Sequence, residues 1–206
     1  FDDFHKKDLA IDDDSPEAQE QREGWLKRQI APIIGQLGHA RGEQLLGGQK
    51  EDRDAIVANA LRSSWERLAK KNTHIKADNI PQFSEKQIEN IYRIADKLLA
   101  ANPFENLETV EGGARLELPL TGDIEDLNVR ARADYVDKNK IVDYKFSTMN
   151  QPWTDSDGNV ISSLKETKNE SEASSALKRA LAQMSVYSRL LGGQRQGEIR
   201  HIYKDK

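Results

Sequence analysis

The sequence predicts an α/β or α+β fold, with a helical N-terminal half followed by a β-rich half that contains one further helix. Apolar residues recur at helical spacing up to about residue 101. From about residue 107 they alternate with polar residues, as they do along half-buried strands. The order of helices, strands, helix and strand is typical of this class. A chain of 206 residues is long enough to bury a sizeable core.

The N-terminal half is expected to contain three long helices. Ser15 stands before Pro16 and is a good N-cap, and Pro32 predicts a kink in the helix that follows. Ser84 and Gln87 have the spacing of a capping box. Residues 1–14 should form a polar arm in front of a single domain over residues 15–206. The three helices are predicted over residues 15–47, 51–71 and 84–101.

The C-terminal half is expected to form a sheet with one helix. The pair Gly112-Gly113 indicates a hairpin turn inside the first β-rich stretch, and the polar run 137–140 indicates a turn between later strands. Residues 151–175 are polar and rich in Ser, Glu and Lys, which favours a flexible excursion. A helix is predicted over about 174–191. The strands are predicted within 107–120 and at 128–136, 140–147 and 197–204.

Composition limits the class of protein. Charged residues make up 32% of the chain, the mean hydropathy is -0.79, and no run approaches the roughly 18 apolar residues of a membrane helix. The first residues lack a signal-peptide pattern, so we expect a soluble cytoplasmic protein that does not contact a membrane. Because the chain begins with Phe1 and not Met, the sequence is compatible with an internal piece of a longer protein.

The absence of cysteine and the net charge limit cofactors and partners. Without cysteine, thiolate-held zinc and iron-sulfur clusters are excluded, so any metal must be held by oxygen or imidazole. A net charge of -4 argues against indiscriminate coating of nucleic acid. A local basic groove is nevertheless compatible with an acidic whole.

One predicted strand carries polar residues where apolar ones would pack better. Asp143 and Lys145 should point to the same face of the sheet, opposite Val142 and Tyr144. Hairpin pairing can bring Asp134 beside them. Two carboxylates in a partly buried cleft repel each other unless a cation neutralises them, and oxygen ligands suit Mg2+ or Mn2+. A lysine beside such a metal can serve an attacking water, although plain solvent-face residues would show the same triplet.

Two helices supply further candidates. Gly35, His39 and Glu43 recur every four residues and therefore share a helix face, on which His39 offers an imidazole ligand. Gln183 and Tyr187 lie one turn apart on the last predicted helix. The alternative explanations are a surface histidine for the first helix and core packing with a rim amide for the second.

In chain order these motifs resemble the PD-(D/E)XK nuclease superfamily and, within it, the RecB-like exonuclease branch. That branch has a helix with Gly-x-x-x-His and often a following Glu, a strand with Gly-x-x-Asp, a strand with Asp-x-Lys and a helix with Gln-x-x-x-Tyr. Ala131 stands where the branch usually has glycine, and Ala133 where the superfamily has proline. The resemblance spans residues 33–203, and the matching residues are Gly35 to His39 with Glu43, Asp134, Asp143 to Lys145, and Gln183 to Tyr187.

The resemblance implies a restriction-endonuclease-like core, with a central mixed sheet flanked by helices, and a Mg2+-dependent deoxyribonuclease in which Mn2+ substitutes. Lys145 would serve the nucleophilic water, and Gln183 and Tyr187 would steady the site or the DNA strand. The residues placed at the metal are His39, Asp134, Asp143 and the backbone of Tyr144. The residues given a catalytic role are Asp134, Asp143, Lys145, Gln183 and Tyr187.

Further candidates surround this set. Glu43 follows His39 on its helix, and Glu117 lies in the strand before Asp134, where relatives often carry an acid. A basic rim that would hold DNA phosphates is predicted from residues that share an element with the site. These rim residues are Arg130, Arg132, Lys178 and Arg179.

The resemblance favours an exonuclease in recombination, repair or phage DNA processing, with DNA and a helicase or other recombination or replication protein as partners. A second hypothesis is a nuclease-like DNA-binding or scaffolding module within a larger helicase or replication protein. A third is a sequence-specific restriction-type endonuclease, which would need elements that contact base edges.

Overall fold

The structure is a computed structural model that describes residues 15–50, 52–72, 75–76, 78–147, 153–154, 160–161, 163–165 and 175–203. The chain divides into two compact units. The helical unit comprises Phe1–Leu37 and Glu51–Ala95, and the sheet unit comprises Gly38–Lys50 and Asp96–Lys206. The polar arm predicted for residues 1–14 lies outside the described residues. The single domain predicted over residues 15–206 stays a prediction.

The predicted α+β class is confirmed, with four helices and a mixed sheet in the described part of the chain. Three short strands, Trp153–Thr154, Val160–Ile161 and Ser163–Lys165, lie within residues 151–175, which the sequence predicts to form an excursion. No helix in the described ranges is long and apolar enough to cross a membrane. The elements are α1 (Pro16–Leu45), α2 (Arg53–Ala69), α3 (Glu85–Leu99), β1 (Arg115–Ile124), β2 (Leu127–Val136), β3 (Lys140–Ser147), β4 (Trp153–Thr154), β5 (Val160–Ile161), β6 (Ser163–Lys165), α4 (Ser175–Leu190) and β7 (Gln196–Tyr203).

The helical unit has a core built around two tryptophans. The rings of Trp25 on α1 and Trp65 on α2 meet edge to face with their centroids 5.0 Å apart. Trp65 is fully buried, and its indole Nε1 donates to the carbonyl of Lys76 at 3.0 Å. The capping box predicted for α3 is present, since Ser84 N donates to Gln87 Oε1 at 2.8 Å and Gln87 N donates to Ser84 Oγ at 3.4 Å.

The sheet unit contains a five-stranded sheet in the order β1-β2-β3-β7-β6. The pairs β1–β2, β2–β3 and β6–β7 are antiparallel, whereas β3 and β7 are parallel. A parallel pair needs a crossover connection, and α4 lies in that connection. Met184 and Tyr187 of α4 pack on Ala133, Ile141 and Ile199 of the sheet, and this apolar cluster fixes α4 over β1, β2, β3 and β7.

The hairpin predicted around Gly112-Gly113 is wrong. These glycines lie in a turn before β1 and join no two strands of the sheet. The tight turn is at Glu125 and Asp126, between β1 and β2. Glu125 adopts a left-handed backbone with φ of 55°. The turn lacks the Asn-Gly or Asp-Gly pair that marks most two-residue hairpin loops, so sequence pattern did not reveal it.

The last turns of α1 approach two aromatic rings closely. A Cβ at Gly38 would lie 2.5 Å from Phe146 Cζ, and a Cβ at Gly42 would lie 2.3 Å from Phe104 Cε1. Carbon atoms do not pack at such distances, so the helix can lie here only because both positions are glycine. A Cβ at Gly35, the glycine of the sequence motif, would meet no described atom within 4 Å.

Gly42→Ala is expected to destabilise the protein by about 1–3 kcal/mol, because the added methyl must displace the buried ring of Phe104. Gly35→Ala is the matched control on the same helix, and we expect it to be neutral or to stabilise by about 0.5–1 kcal/mol through helix propensity. Urea unfolding of both variants measures the difference. A Gly42→Ala protein as stable as wild type would contradict the close packing of α1 on Phe104.

Candidate metal centre

The candidate site lies in the sheet unit where β2 and β3 separate. Their pairing extends to Tyr135 and Val142 and does not include the next position, where Asp134 would face Asp143. There Asp134 Oδ2 accepts a hydrogen bond from the backbone N–H of Tyr144 at 2.7 Å. A side-chain carboxylate therefore satisfies a donor that a continuous ladder would have used. The parting of the strands leaves room for polar side chains inside the sheet.

Three potential ligands converge beside this opening. His39 Nδ1 of α1 lies 3.7 Å from Glu117 Oε1 of β1 and 3.7 Å from Asp134 Oδ2 of β2. One ligand atom from each residue lies within 4.8 Å of the others. We call His39, Glu117 and Asp134 the cation group. Two carboxylates and an imidazole suit a small divalent ion, and carboxylate oxygens favour Mg2+ or Mn2+.

Glu117 has an unusual backbone conformation. Its φ is 46°, in the left-handed region that non-glycine residues rarely adopt. Leu116 and Leu118 on either side pair with β2, whereas Glu117 does not. Such a conformation costs on the order of 1–3 kcal/mol, and strained residues of this kind concentrate at functional sites. In this strained conformation, Glu117 directs its carboxylate toward the imidazole of His39.

The electrostatics of the cation group reflect an excess of carboxylate. Burial raises the pKa of Asp134 to about 6, the charge of His39 opposes this rise, and the charge of Asp143 adds to it. Burial would lower the pKa of His39, but its contact with Glu117 and the charges of Asp134, Glu117 and Asp143 raise it overall. Burial would raise the pKa of Glu117, and its pairing with His39 and Arg132 lowers it. Positive charge is therefore stabilised at this position.

Asp143 is buried next to the cation group. Its side chain is 1% exposed, Oδ2 lies 2.6 Å from Lys145 Nζ, and Oδ1 has no hydrogen-bond partner among the described residues. Burial raises the pKa of the Asp143 carboxyl, and the nearby Lys145 charge opposes this rise. A buried carboxylate oxygen without a donor is costly unless a cation or a water satisfies it.

A chain of hydrogen bonds from α4 holds Lys145. Lys145 Nζ donates to Gln183 Oε1 at 3.1 Å, and Gln183 Nε2 donates to the hydroxyl of Tyr187. The Tyr187 hydroxyl in turn donates to the backbone carbonyl of Arg132 at 2.6 Å. Gln183 therefore orients Lys145, and Tyr187 orients Gln183 against the main chain of β2.

Some predicted site residues lie outside the cation group. Asp143 is not part of it, although its charge influences both Asp134 and His39. Glu43 is partly buried one turn beyond His39 and supplies no atom to the cation group. Tyr144 contributes its backbone N–H to Asp134, while its ring packs on Phe104 with centroids 4.9 Å apart. The predicted roles of these residues stay predictions.

The basic rim divides into one residue that contacts the site and three that lie on the surface. Arg132 Nε is 2.7 Å from Glu117 Oε2. Arg130 on β2 and Lys178 and Arg179 on α4 are exposed. The contact of Arg132 with Glu117 was not predicted from sequence, because the β1–β2 register was unknown.

Comparisons of this chain with protein-family models, curated proteins and solved structures found no match. A functional assignment therefore depends on the residues of the site and on their geometry.

Proposed function

We propose that this chain is a Mg2+-dependent deoxyribonuclease of the PD-(D/E)XK type that hydrolyses phosphodiester bonds, with a RecB-like exonuclease as the nearest resemblance. The observation that carries the proposal is the convergence of the cation group with a buried aspartate and a lysine. Asp143 and Lys145 lie beside His39, Glu117 and Asp134 where β2 and β3 separate. Carboxylates, an imidazole and a positioned ammonium group suit metal-assisted phosphoryl chemistry.

The donor set fits a Mg2+ or Mn2+ ion. Asp143 presents a buried oxygen without a described donor, and the carboxyl of Asp134 is held in an environment that favours a nearby positive charge. His39, Asp134, Asp143 and Glu117 are the residues that would hold the ion. When bound, such an ion supplies Lewis-acid stabilisation of the phosphate and lowers the pKa of a water.

The protein's own groups position the other reactants. Lys145 is about one-third exposed and is held by Asp143 and Gln183, so its ammonium group can orient a water or stabilise charge that develops on phosphate oxygens. The exposed Arg130, Lys178 and Arg179 offer charges for the backbone of the DNA strand. In the same proposal, the protein acts as an exonuclease in recombination, repair or phage DNA processing. Its partner is a helicase or a replication protein.

The second candidate is a nuclease-like DNA-binding or scaffolding module. The observation that favours it is that each acid has a basic partner within the protein, since Glu117 pairs with Arg132 and Asp143 pairs with Lys145. Such pairs would allow the acids to stay buried in a protein that does no chemistry. The exposed arginines would then bind DNA on their own.

Incubation with linear and with closed-circular DNA, each in Mg2+ and in EDTA, separates these functions. The proposal predicts Mg2+-dependent loss of the linear form while the circle stays intact. Cutting of the circle would instead indicate an endonuclease. DNA binding without cleavage of either form would favour the scaffolding module.

A further inference from the structure

Arg132 is the most accessible of the charged residues in direct contact with the cation group. Its side chain is 70% exposed, whereas that of Glu117 is 22% exposed. The contact of Nε with Glu117 Oε2 is 2.7 Å, yet Oε2 accepts no directed hydrogen bond from the described residues. The pair is therefore held by charge attraction, which is weak for a side chain as exposed as that of Arg132. An ion pair of this kind exchanges partners easily.

The main chain at Arg132 is anchored, whereas its side chain is largely exposed. Its backbone carbonyl accepts from the buried Tyr187 hydroxyl, and its neighbour Ala133 is fully buried. A change of partner therefore needs only a new rotamer of an exposed side chain. Because the Cα of Arg132 is held in place, the new partner must lie within reach of its side chain.

A divalent cation and Arg132 compete for the same carboxylate. Glu117 directs Oε1 toward His39 and Oε2 toward Arg132, so a cation held by the cation group would weaken the attraction between Glu117 and the guanidinium. A guanidinium that loses its carboxylate is well suited to a phosphate, which offers two oxygens for the same bidentate pairing. A phosphodiester at this site would be that phosphate.

We propose that Arg132 is an exchangeable counter-ion of Glu117, which neutralises Glu117 when no divalent cation is bound and pairs with the substrate phosphodiester when a cation takes Glu117. This inference rests on the proposed function and adds that the binding of the cation and the binding of the phosphodiester are coupled. Cation binding raises affinity for the phosphodiester through Arg132, and by linkage the phosphodiester raises affinity for the cation by the same factor.

Titration calorimetry with Mn2+ alone, on the full chain and without DNA, tests the competition. Arg132→Gln is expected to bind Mn2+ roughly threefold more tightly than wild type, because the competitor for Glu117 is gone. Arg130→Gln is the matched control. It removes the same charge from the same strand, and we expect little change in Mn2+ affinity since screening weakens more distant charges. In a Glu117→Gln background, Arg132→Gln should behave like Arg130→Gln.

Fluorescence anisotropy with a short labelled single-stranded oligodeoxynucleotide, in Ca2+ and in EDTA, tests the coupling. Ca2+ should raise the DNA affinity of wild type more than that of Arg132→Gln. Equal effects of Arg132→Gln and Arg130→Gln on Mn2+ affinity, with wild type binding Mn2+, would overturn the exchange and leave the proposed function standing. Failure of wild type to bind Mn2+ would overturn both.

Discussion

Replacement of Asp143 by Asn is expected to reduce cleavage by about 10³-fold or more while the fold is retained. Asn has the size of Asp but lacks the charge that would attract a cation and that pairs with Lys145 at 2.6 Å. The side chain is 1% exposed, so no bulk water replaces the lost carboxylate. Initial rates on end-labelled linear DNA in Mg2+ measure the effect.

The stability of the same variant separates a chemical loss from a folding defect. Burial raises the pKa of Asp143, which means that the charged form is disfavoured in the folded state. Asp143→Asn should therefore unfold in EDTA at the same urea concentration as wild type, or at a higher one. Asp123→Asn, an exposed position on β1, is the control and should leave the rate unchanged. Normal turnover by Asp143→Asn would refute the role assigned to Asp143.

Replacement of Lys145 by Met is expected to lower the cleavage rate by about 10²- to 10⁴-fold and to change DNA affinity far less. Met keeps the apolar stem of the side chain but removes the ammonium group that Asp143 and Gln183 hold. Because this ammonium group is directed into the site and not along the surface, its loss should affect chemistry more than binding. Single-turnover rates and DNA dissociation constants are measured on the same samples.

Lys178→Met provides the opposite control on α4. Lys178 is exposed, and as a phosphate contact it should weaken binding with little effect on the rate at saturating DNA. If Lys145→Met weakens binding by the same factor as it slows cleavage, Lys145 holds a phosphate and does not serve the reaction. The pair of variants thus assigns each lysine to one of two roles.

Local sequence pattern was sufficient to predict much of the fold. The N-cap at Ser15 and the capping box at Ser84 both formed, because a cap depends only on residues within one helical turn. The turn after β2 was also predicted, and in it Asp137 Oδ1 accepts from the backbone N–H groups of Asn139 and Lys140. The turn at Glu125 was missed because its left-handed residue is neither glycine nor asparagine.

The missed turn explains why the sequence placed Glu117 only among the further candidates and not at the metal. The turn brings Ile124 opposite Leu127, and the same register places Glu117 at the level of Asp134. With this turn and register known, Glu117 would have been placed beside Asp134 from the sequence. The left-handed conformation of Glu117 and its contact with Arg132 depend on three-dimensional packing. No local sequence pattern indicates them.

The arrangement around Lys145 depends on contacts between distant parts of the chain. The motif spacing suggested that Gln183 and Tyr187 belong near the site, but it did not indicate which atoms they contact. The parallel pairing of β3 with β7 and the packing of α4 on the sheet bring Gln183 to Lys145 across 38 residues of sequence. Such long-range pairing is set by burial of the apolar cluster around Met184 and Ile199.

The most direct test of a metal-dependent nuclease is the release of labelled nucleotides from linear DNA by the purified protein in Mg2+, after removal of metal by EDTA, and after Mg2+ is restored in excess. We predict release in Mg2+, none in EDTA, and recovery when Mg2+ returns, since the site brings together carboxylates that would hold a divalent cation. Release that continues in EDTA, or no release in either Mg2+ or Mn2+, would contradict the assignment.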